Sequence, residues 1–290
     1  MQTNDVHFTK TRIAPTPSGY LHLGNALSFA LTAALAHKAG AKILLRIDDL
    51  DQQRVNNDYV QDIFDTLNFL NIPWDEGPRD VDDFQANWSQ LHRMKLYKDA
   101  LEQLTNQREV FACQCSRAQL NDGIYPGTCR NKSIPLDAPD TAWRLYTDDR
   151  ELSIKTFKNG IITTRLPGVM KDFVVKKKDD FPAYQLASLI DDIHFGVDLV
   201  VRGEDLYPST IAQLYLADVL GKPDFKNITF HHHPLLMEAG DKKLSKSAGA
   251  TSIKYLREQG KMAGDVYGEI GLMLGLGKDL RSFQNFVSVV

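Results

Sequence analysis

Two short polar segments hold the residue types that could handle a nucleotide triphosphate. The first, Pro15-Thr16-Pro17-Ser18-Gly19-Tyr20-Leu21-His22-Leu23-Gly24-Asn25, stands where a strand would turn into a helix. Glycines let a backbone approach a phosphate closely, and a helix opening near Asn25 offers free N–H groups at a positive dipole end. His22 sits just before that helix, able to donate to a phosphate oxygen. The second segment, Lys243-Leu244-Ser245-Lys246-Ser247, presents two cations, Lys243 and Lys246, in a polar loop suited to β- and γ-phosphates. Displacement at an α-phosphate builds negative charge in the transition state. Prepositioned donors of this kind serve it better than a protein nucleophile would.

Cysteine spacing carries a second chemistry. Cys113-x-Cys115 and Cys129 lie within 17 residues and are the only three cysteines. Without a secretion signal, such spacing favours a metal over a disulfide. Zinc normally takes four ligands, so three thiols leave one place open, and the nearest histidine in the sequence is His92. Plain buried thiols are the alternative. His231-His232-His233 reads as a strand end rather than a second metal site, because consecutive strand side chains alternate between faces.

These groups need a scaffold, and the pattern supplies one. Arg12 to Pro15 reads as a first strand, Asn25 to Lys38 as an alanine- and leucine-rich helix stopped at Gly40, and Lys42 to Ile47 as a buried strand. Asn57 to Leu70 carries apolar residues at helical spacing, and 84–108 is a further helical stretch. Alternating strands and helices argue for a parallel sheet with right-handed crossovers. Residues 111–165 hold the cysteines, several turn residues and little helical periodicity, which reads as an insertion. The α/β pattern returns with Phe173-Val174-Val175, a helix around Ala183 to Ile190, a strand from Val197 to Val201, a helix near Pro208 to Leu220 and a strand at Ile228 to Phe230. After 251 the tail is mostly helical.

At 290 residues, 43% hydrophobic and 24% charged, the composition is that of a globular protein with a sizeable core. No stretch approaches the roughly 18 apolar residues of a membrane span, and no signal-peptide pattern is present. A cytoplasmic protein is the expectation. The formal charge of −3 does not advertise nucleic acid. Any RNA contact needs a local patch, for which Lys176-Lys177-Lys178 and the tail cations Lys254, Arg257 and Lys261 are candidates beside the simpler reading of a solvated charged face.

In this order, the two polar segments resemble the HIGH and KMSKS elements of class I aminoacyl-tRNA synthetases. Arg12-x-Ala14-Pro15-x-Pro17-x-Gly19, Leu44-Leu45-Arg46-Ile47-Asp48-Asp49-x-Asp51, Ala183-Tyr184-Gln185-Leu186-Ala187, Asp191-Asp192 and Val201-Arg202-Gly203-Glu204-Asp205 extend the resemblance to the glutamyl subgroup, over most of residues 11–250. The resemblance implies an α/β, Rossmann-like parallel-sheet catalytic domain over 1–110 and 166–250. It implies an inserted zinc-binding subdomain over 111–165 and a short helical C-terminal segment over 251–290. It gives catalytic roles to His22, Lys243 and Lys246, and an ATP site with Mg2+ to His22, Gly24, Asn25, Lys243 and Lys246. Arg12, Ala14, Thr16, Asp48, Tyr184 and Arg202 would form the glutamate site, and Tyr125 would join Cys113, Cys115 and Cys129 around one structural Zn2+ per chain. The chemistry agrees. Glutamate carries two carboxylates that Arg12 and Arg202 can grip bidentately, while Asp48 and the Tyr184 hydroxyl suit its ammonium group. Where the family usually has Glu, Asp48 reaches one methylene less far. Asp48–Arg46 or Arg202–Glu204 as plain ion pairs, and Tyr184 as a core aromatic, are the alternatives.

Only 43 residues follow Ser247. Full-length glutamyl-tRNA synthetases continue into helical domains that read the anticodon, and none is expected here. A compact protein of this length is about 50 Å across, shorter than an L-shaped tRNA. The truncated layout resembles the glutamyl-queuosine tRNA(Asp) synthetases. Members of that family activate glutamate without tRNA, then esterify it to the cyclopentene-diol of queuosine at the wobble position, with the anticodon stem-loop of tRNA(Asp) as partner. Many of them have a degraded second motif, whereas Lys243-Leu244-Ser245-Lys246-Ser247 is complete. A truncated synthetase charging a tRNA acceptor end, and a non-tRNA glutamate ligase or sensor, remain the competing expectations. With no long heptad pattern, a monomer is expected.

Overall fold

The computed structural model describes residues 7–235, 237–238, 242–243, 252–277 and 279–290. The chain forms two compact units, one of residues 1–92, 198–204 and 232–290, the other of 93–197 and 205–231.

In the first unit, β1 (Lys10–Ile13) pairs in parallel with β2 (Lys42–Leu45), from Lys10 opposite Lys42 to Ile13 opposite Leu45. On its other side β1 pairs in parallel with β8 (Leu199–Gly203), Thr11 opposite Leu199. The strand ends sooner than its apolar run suggested, at Ile13. Pairing continues past it through backbone bonds from Arg46 N to Ile13 O and from Asp48 N to Pro15 O, each 2.9 Å.

Between β1 and β2 lies α1 (Leu23–Ala39), ended by Gly40 in the left-handed conformation. Its alanines Ala26, Ala30, Ala33, Ala34 and Ala36 are fully buried, as expected of a helix apolar on all sides. Their small side chains let α1 sit close to the sheet, and Leu27, Phe29 and Leu31 join them in a core with Ile13, Leu45 and Val201. Helix α2 (Asn57–Phe69), capped by Asn56, buries Val60, Ile63, Phe64 and Leu67 in the same core. A three-residue turn of helix, α3 (Val81–Asp83), follows it.

Gly77, at φ +108°, brings the chain back across β2. A Cβ there would lie 2.2 Å from the Leu45 carbonyl oxygen, so the position admits glycine alone without backbone movement. Two-residue strands β10 (Met237–Glu238) and β11 (Lys242–Lys243) pair with each other. The tail forms α8 (Ile253–Glu258), α9 (Ala263–Met273) and α10 (Phe283–Val289), whose residues Ile253, Tyr267 and Phe286 complete the core.

The stretch expected to be helical over 84–108 is broken. Phe84–Trp88 winds as a π-helical turn and Gln90–Arg93 as a 3₁₀ turn before α4 (Met94–Asn106) opens the second unit.

There β3 (Val110–Cys113), β4 (Ala142–Leu145) and β7 (Val174–Lys176) make a three-stranded antiparallel sheet. A hairpin, β5 (Glu151–Thr156) and β6 (Gly160–Arg165), pairs through β5 in parallel with β9 (Thr229–His233), whose last two residues run into the first unit. Helices α5 (Tyr184–His194), α6 (Tyr207–Val219) and α7 (Pro223–Lys226) pack together.

Within this unit Arg93 makes a bidentate pair with Asp191, Nε to Oδ1 at 2.9 Å and Nη2 to Oδ2 at 3.2 Å, while the Tyr97 hydroxyl donates to Oδ1 at 2.7 Å. The Asp191 side chain is wholly buried. Its carboxylate makes up for lost hydration through these three bonds. Burial works against the charge on Arg93, but the Asp191 carboxylate outweighs it and holds the guanidinium proton more tightly than usual. Among the described residues no helix is long and apolar enough to cross a membrane.

Candidate active site

The loop from Ala14 to His22 leaves the carboxyl end of β1 and turns into α1. His22 is the N-cap of that helix. Its Nδ1 accepts from Gly24 N at 3.1 Å, and its own N–H donates to Asn25 Oδ1 at 3.1 Å, a reciprocal cap. An imidazole whose Nδ1 accepts carries its proton on Nε2. The cap therefore selects the tautomer that donates from Nε2. Packing is close at Gly24, where a Cβ would stand 3.0 Å from the His22 ring and the ring would have to shift by a few tenths of an ångström.

Arg12 and Arg202 are both buried, on the neighbouring strands β1 and β8, and Arg12 Nη1 donates to the Val201 carbonyl oxygen at 3.4 Å. Carried forward in step from Thr11 opposite Leu199, the register sets Arg202 level with Ala14. Residues two apart on a strand share a face, so Arg12, Ala14 and Arg202 lie on one face. Thr16 follows on the loop and is exposed. Asp48, tied through its backbone to Pro15, stands beyond the carboxyl end of β2. These positions gather at the carboxyl edge of three parallel strands, where ligands of open α/β sheets bind.

The Asp48 carboxylate accepts from Arg46 Nε at 2.7 Å and from Arg46 Nη2 at 3.0 Å. This pair is buried rather than on the surface. Arg46 orients Asp48 and offsets the cost of burying its charge. Of the remaining expected site residues, Tyr184 is the first residue of α5, in the second unit, and is exposed. Lys243 lies on β11, opposite Met237. Lys246 lies outside the described residues.

Cys113, Cys115 and Cys129 do converge. Their sulfurs all lie within 4.8 Å of one another, and Cys115 and Cys129 are 3.6 Å apart. Tetrahedral zinc with Zn–S bonds near 2.3 Å sets sulfurs about 3.8 Å apart, so the spacing fits. Tyr125 is buried with them, its hydroxyl accepting from Cys129 N at 2.7 Å. Burial, reinforced by the neighbouring sulfurs, pushes the Cys115 thiol up to about 11. Burial also raises the Tyr125 phenol. For Cys113 burial is outweighed by the Cys115 N–H and the Arg144 guanidinium, which lower it. A divalent cation would relieve the burial and crowding that hold the protons on Cys115 and Tyr125, with proton release on binding. Purified protein should carry about one equivalent of zinc. Mass spectrometry of the metal content, compared with Cys129→Ser, checks this, and less than about half an equivalent in protein never exposed to chelator counts against a zinc site.

Five of the six candidate RNA cations have polar partners within their own units. Lys176 pairs with Asp180 at 2.6 Å, Lys177 with Asp179 at 2.8 Å and Lys178 with Asp140 at 3.0 Å. Lys254 donates to the Tyr20 hydroxyl, and Arg257 pairs with Asp62. His231, His232 and His233 alternate between buried and part-exposed along β9, and His233 Nε2 is 2.9 Å from Ser28 Oγ. Sequence reasoning missed Asp62. Its partners stand 41 and 195 positions away, and only a motif linking α2 to the tail would have pointed to it.

The family described as tRNA synthetases class I (E and Q), catalytic domain, matches residues 9–138 and 144–283. A Glutamyl-Q tRNA(Asp) synthetase of Symbiobacterium thermophilum is 36% identical over 284 residues, spanning 91% of this chain and 86% of that relative. A Glutamate–tRNA ligase of Anaeromyxobacter sp. (strain K) is 33% identical over 262 residues, 87% of this chain but 54% of that one. Among solved structures, a glutamate-tRNA synthetase from Elizabethkingia anophelis superposes with a TM-score of 0.76 at 23% identity, covering 97% of this chain and 65% of that one, a likeness of fold. The Rossmann-like synthetase fold and the parallel strands carrying the arginines agree with these matches. The chain belongs to the class I tRNA synthetases of the E and Q type, and it is a class I aminoacyl-tRNA synthetase-like ligase.

Proposed function

We propose that this protein activates glutamate with ATP in the absence of tRNA and then glutamylates the cyclopentene-diol of queuosine at the wobble position of tRNA(Asp). In the first step a glutamate carboxylate oxygen attacks the α-phosphorus and pyrophosphate departs, leaving glutamyl-adenylate. In the second a diol hydroxyl attacks the activated carbonyl, AMP departs and an ester remains. Arg12 and Arg202 bind the two carboxylates, Asp48 and Tyr184 the ammonium group. The proton on His22 Nε2 serves a phosphate oxygen, and Lys243 and Lys246 serve the departing pyrophosphate, with Mg2+ accompanying ATP. Cys113, Cys115, Tyr125 and Cys129 hold a structural zinc ion.

The observation that carries this reading is the extent of the match. The glutamyl-Q relative of Symbiobacterium thermophilum aligns over 91% of this chain and 86% of its own length. The buried arginines on adjacent strands support the dicarboxylic substrate.

Pyrophosphate exchange into ATP with glutamate and Mg2+, and no tRNA, tests the first step. Labelled glutamate is then offered with queuosine-bearing tRNA(Asp), queuosine-free tRNA(Asp) and tRNA(Glu), followed by periodate. Label on queuosine-bearing tRNA(Asp) alone, lost when prior periodate cleaves the diol, is the expected result. Label on tRNA(Glu) would instead assign a synthetase charging an acceptor end, and no exchange at all would remove the activation step.

A further inference from the structure

The first nucleotide motif is tied down by side chains that lie outside it. Asp62, on α2, has a side chain only 2% exposed. Its Oδ2 accepts from Leu21 N at 3.0 Å and its Oδ1 from Arg257 Nη2 at 2.7 Å. Arg257 belongs to α8, whose N-cap Ser252 follows Lys246 by six positions. Tyr20-Leu21-His22 and the start of α8 are joined residue by residue. Ile253 N donates to Leu21 O at 2.7 Å, Ser252 bridges antiparallel to His22, and Lys254 Nζ donates to the Tyr20 hydroxyl at 2.9 Å. The Tyr20 ring packs edge-on against Tyr59 of α2, centroids 4.9 Å apart. Leu21 thus commits its N–H to α2 and its carbonyl to α8, immediately before the histidine that caps α1.

We propose that Asp62 and Arg257 are positioning residues for adenylate formation: their pair holds the Leu21-His22 backbone and the start of α8 in one register. The proposal rests on the roles given above to His22 and the lysines. Neither residue needs to touch substrate. If α2 required only core packing at position 62, an apolar side chain would avoid the cost of burying a carboxylate. That burial already pushes the Asp62 carboxyl up, against the Leu21 N–H and Arg257 that lower it. With one oxygen for each, the carboxylate joins a backbone N–H on one element to a guanidinium on another. Small displacements of a positioned donor are costly to rate, about 10²-fold for an ångström.

Three variants separate the contributions. Asp62→Ala removes both bonds, Asp62→Asn keeps an acceptor for Leu21 N–H, and Arg257→Met keeps the apolar stem without the charge. Glutamate-dependent pyrophosphate exchange should lose kcat by about 10²-fold in Asp62→Ala, and by less in the other two. The KM for glutamate should stay within about twofold in all three, because its arginines lie on β1 and β8. Asp62→Asn/Arg257→Met should be no worse than its worse single variant, as for one shared interaction. Active-site titration corrects each rate for folded enzyme. An unchanged corrected kcat in Asp62→Ala overturns the proposal, as does a loss that vanishes on that correction. If wild-type protein shows no exchange, the activation reading fails separately. The proposal is then decided by ATP binding in calorimetry, where a tenfold or greater weakening in Asp62→Ala (about 1.4 kcal/mol) supports it and an unchanged Kd overturns it.

Discussion

Arg202→Ala should reduce kcat/KM for glutamate in pyrophosphate exchange by roughly 10²- to 10³-fold. The Arg202 side chain is buried on β8. A carboxylate drawn out of water into that site and left without its guanidinium costs about 2–5 kcal/mol. Arg202→Lys should recover part of the loss, because an ammonium returns the charge but not the planar two-point grip. ATP binding should hardly change, since none of the groups proposed to serve the phosphates, His22, Lys243 and Lys246, lies on β8. A titration of exchange rate against glutamate at saturating ATP checks all three. Equal activity in Arg202→Ala and wild type would remove Arg202 from the amino-acid site.

The largest expected effect on stability is that of Arg93→Ala. It strips the bidentate partner from Asp191, whose side chain is wholly buried. The Tyr97 hydroxyl does not replace it, as one hydroxyl bond does not neutralise a charge. Breaking such a pair from one side typically costs about 3–5 kcal/mol, against a total of about 5–15 for a folded domain. The melting temperature should fall by on the order of 10 °C. Asp191→Asn, which keeps the shape and loses the charge, should be milder. Thermal unfolding of the variants decides it, and a loss below about 1 kcal/mol would mean that water reaches Asp191 in the folded protein.

How far these features could be read from sequence depends on the distance over which each is determined. Helix α1 is a local matter. Its alanine run, the histidine before it and Gly40 after it lie within one continuous stretch, and its expected bounds agree with Leu23–Ala39 to within two residues. The cysteines are similarly local, and their sulfurs meet. Arg46 and Asp48 stand two apart beyond β2, a pairing within reach of strand alternation, yet only the fold decides that the pair is buried. Asp62 with Leu21, and Arg93 with Asp191, span 41 and 98 positions. No periodicity encodes such contacts. The break in 84–108 was also hidden, because the π-helical and 3₁₀ turns are too short to erase the helical periodicity of the stretch around them.

The run of three lysines at 176–178 changes how an approaching polyanion would meet the protein. Each ammonium faces a carboxylate within 3.0 Å, so at a distance the group presents three dipoles in place of a triple charge. Dipolar fields die away faster than those of bare ions, and the molecule as a whole is net negative. Long-range attraction of RNA toward this stretch is therefore feeble, and capture there would proceed at the pace of unsteered diffusion rather than at an electrostatically hastened rate.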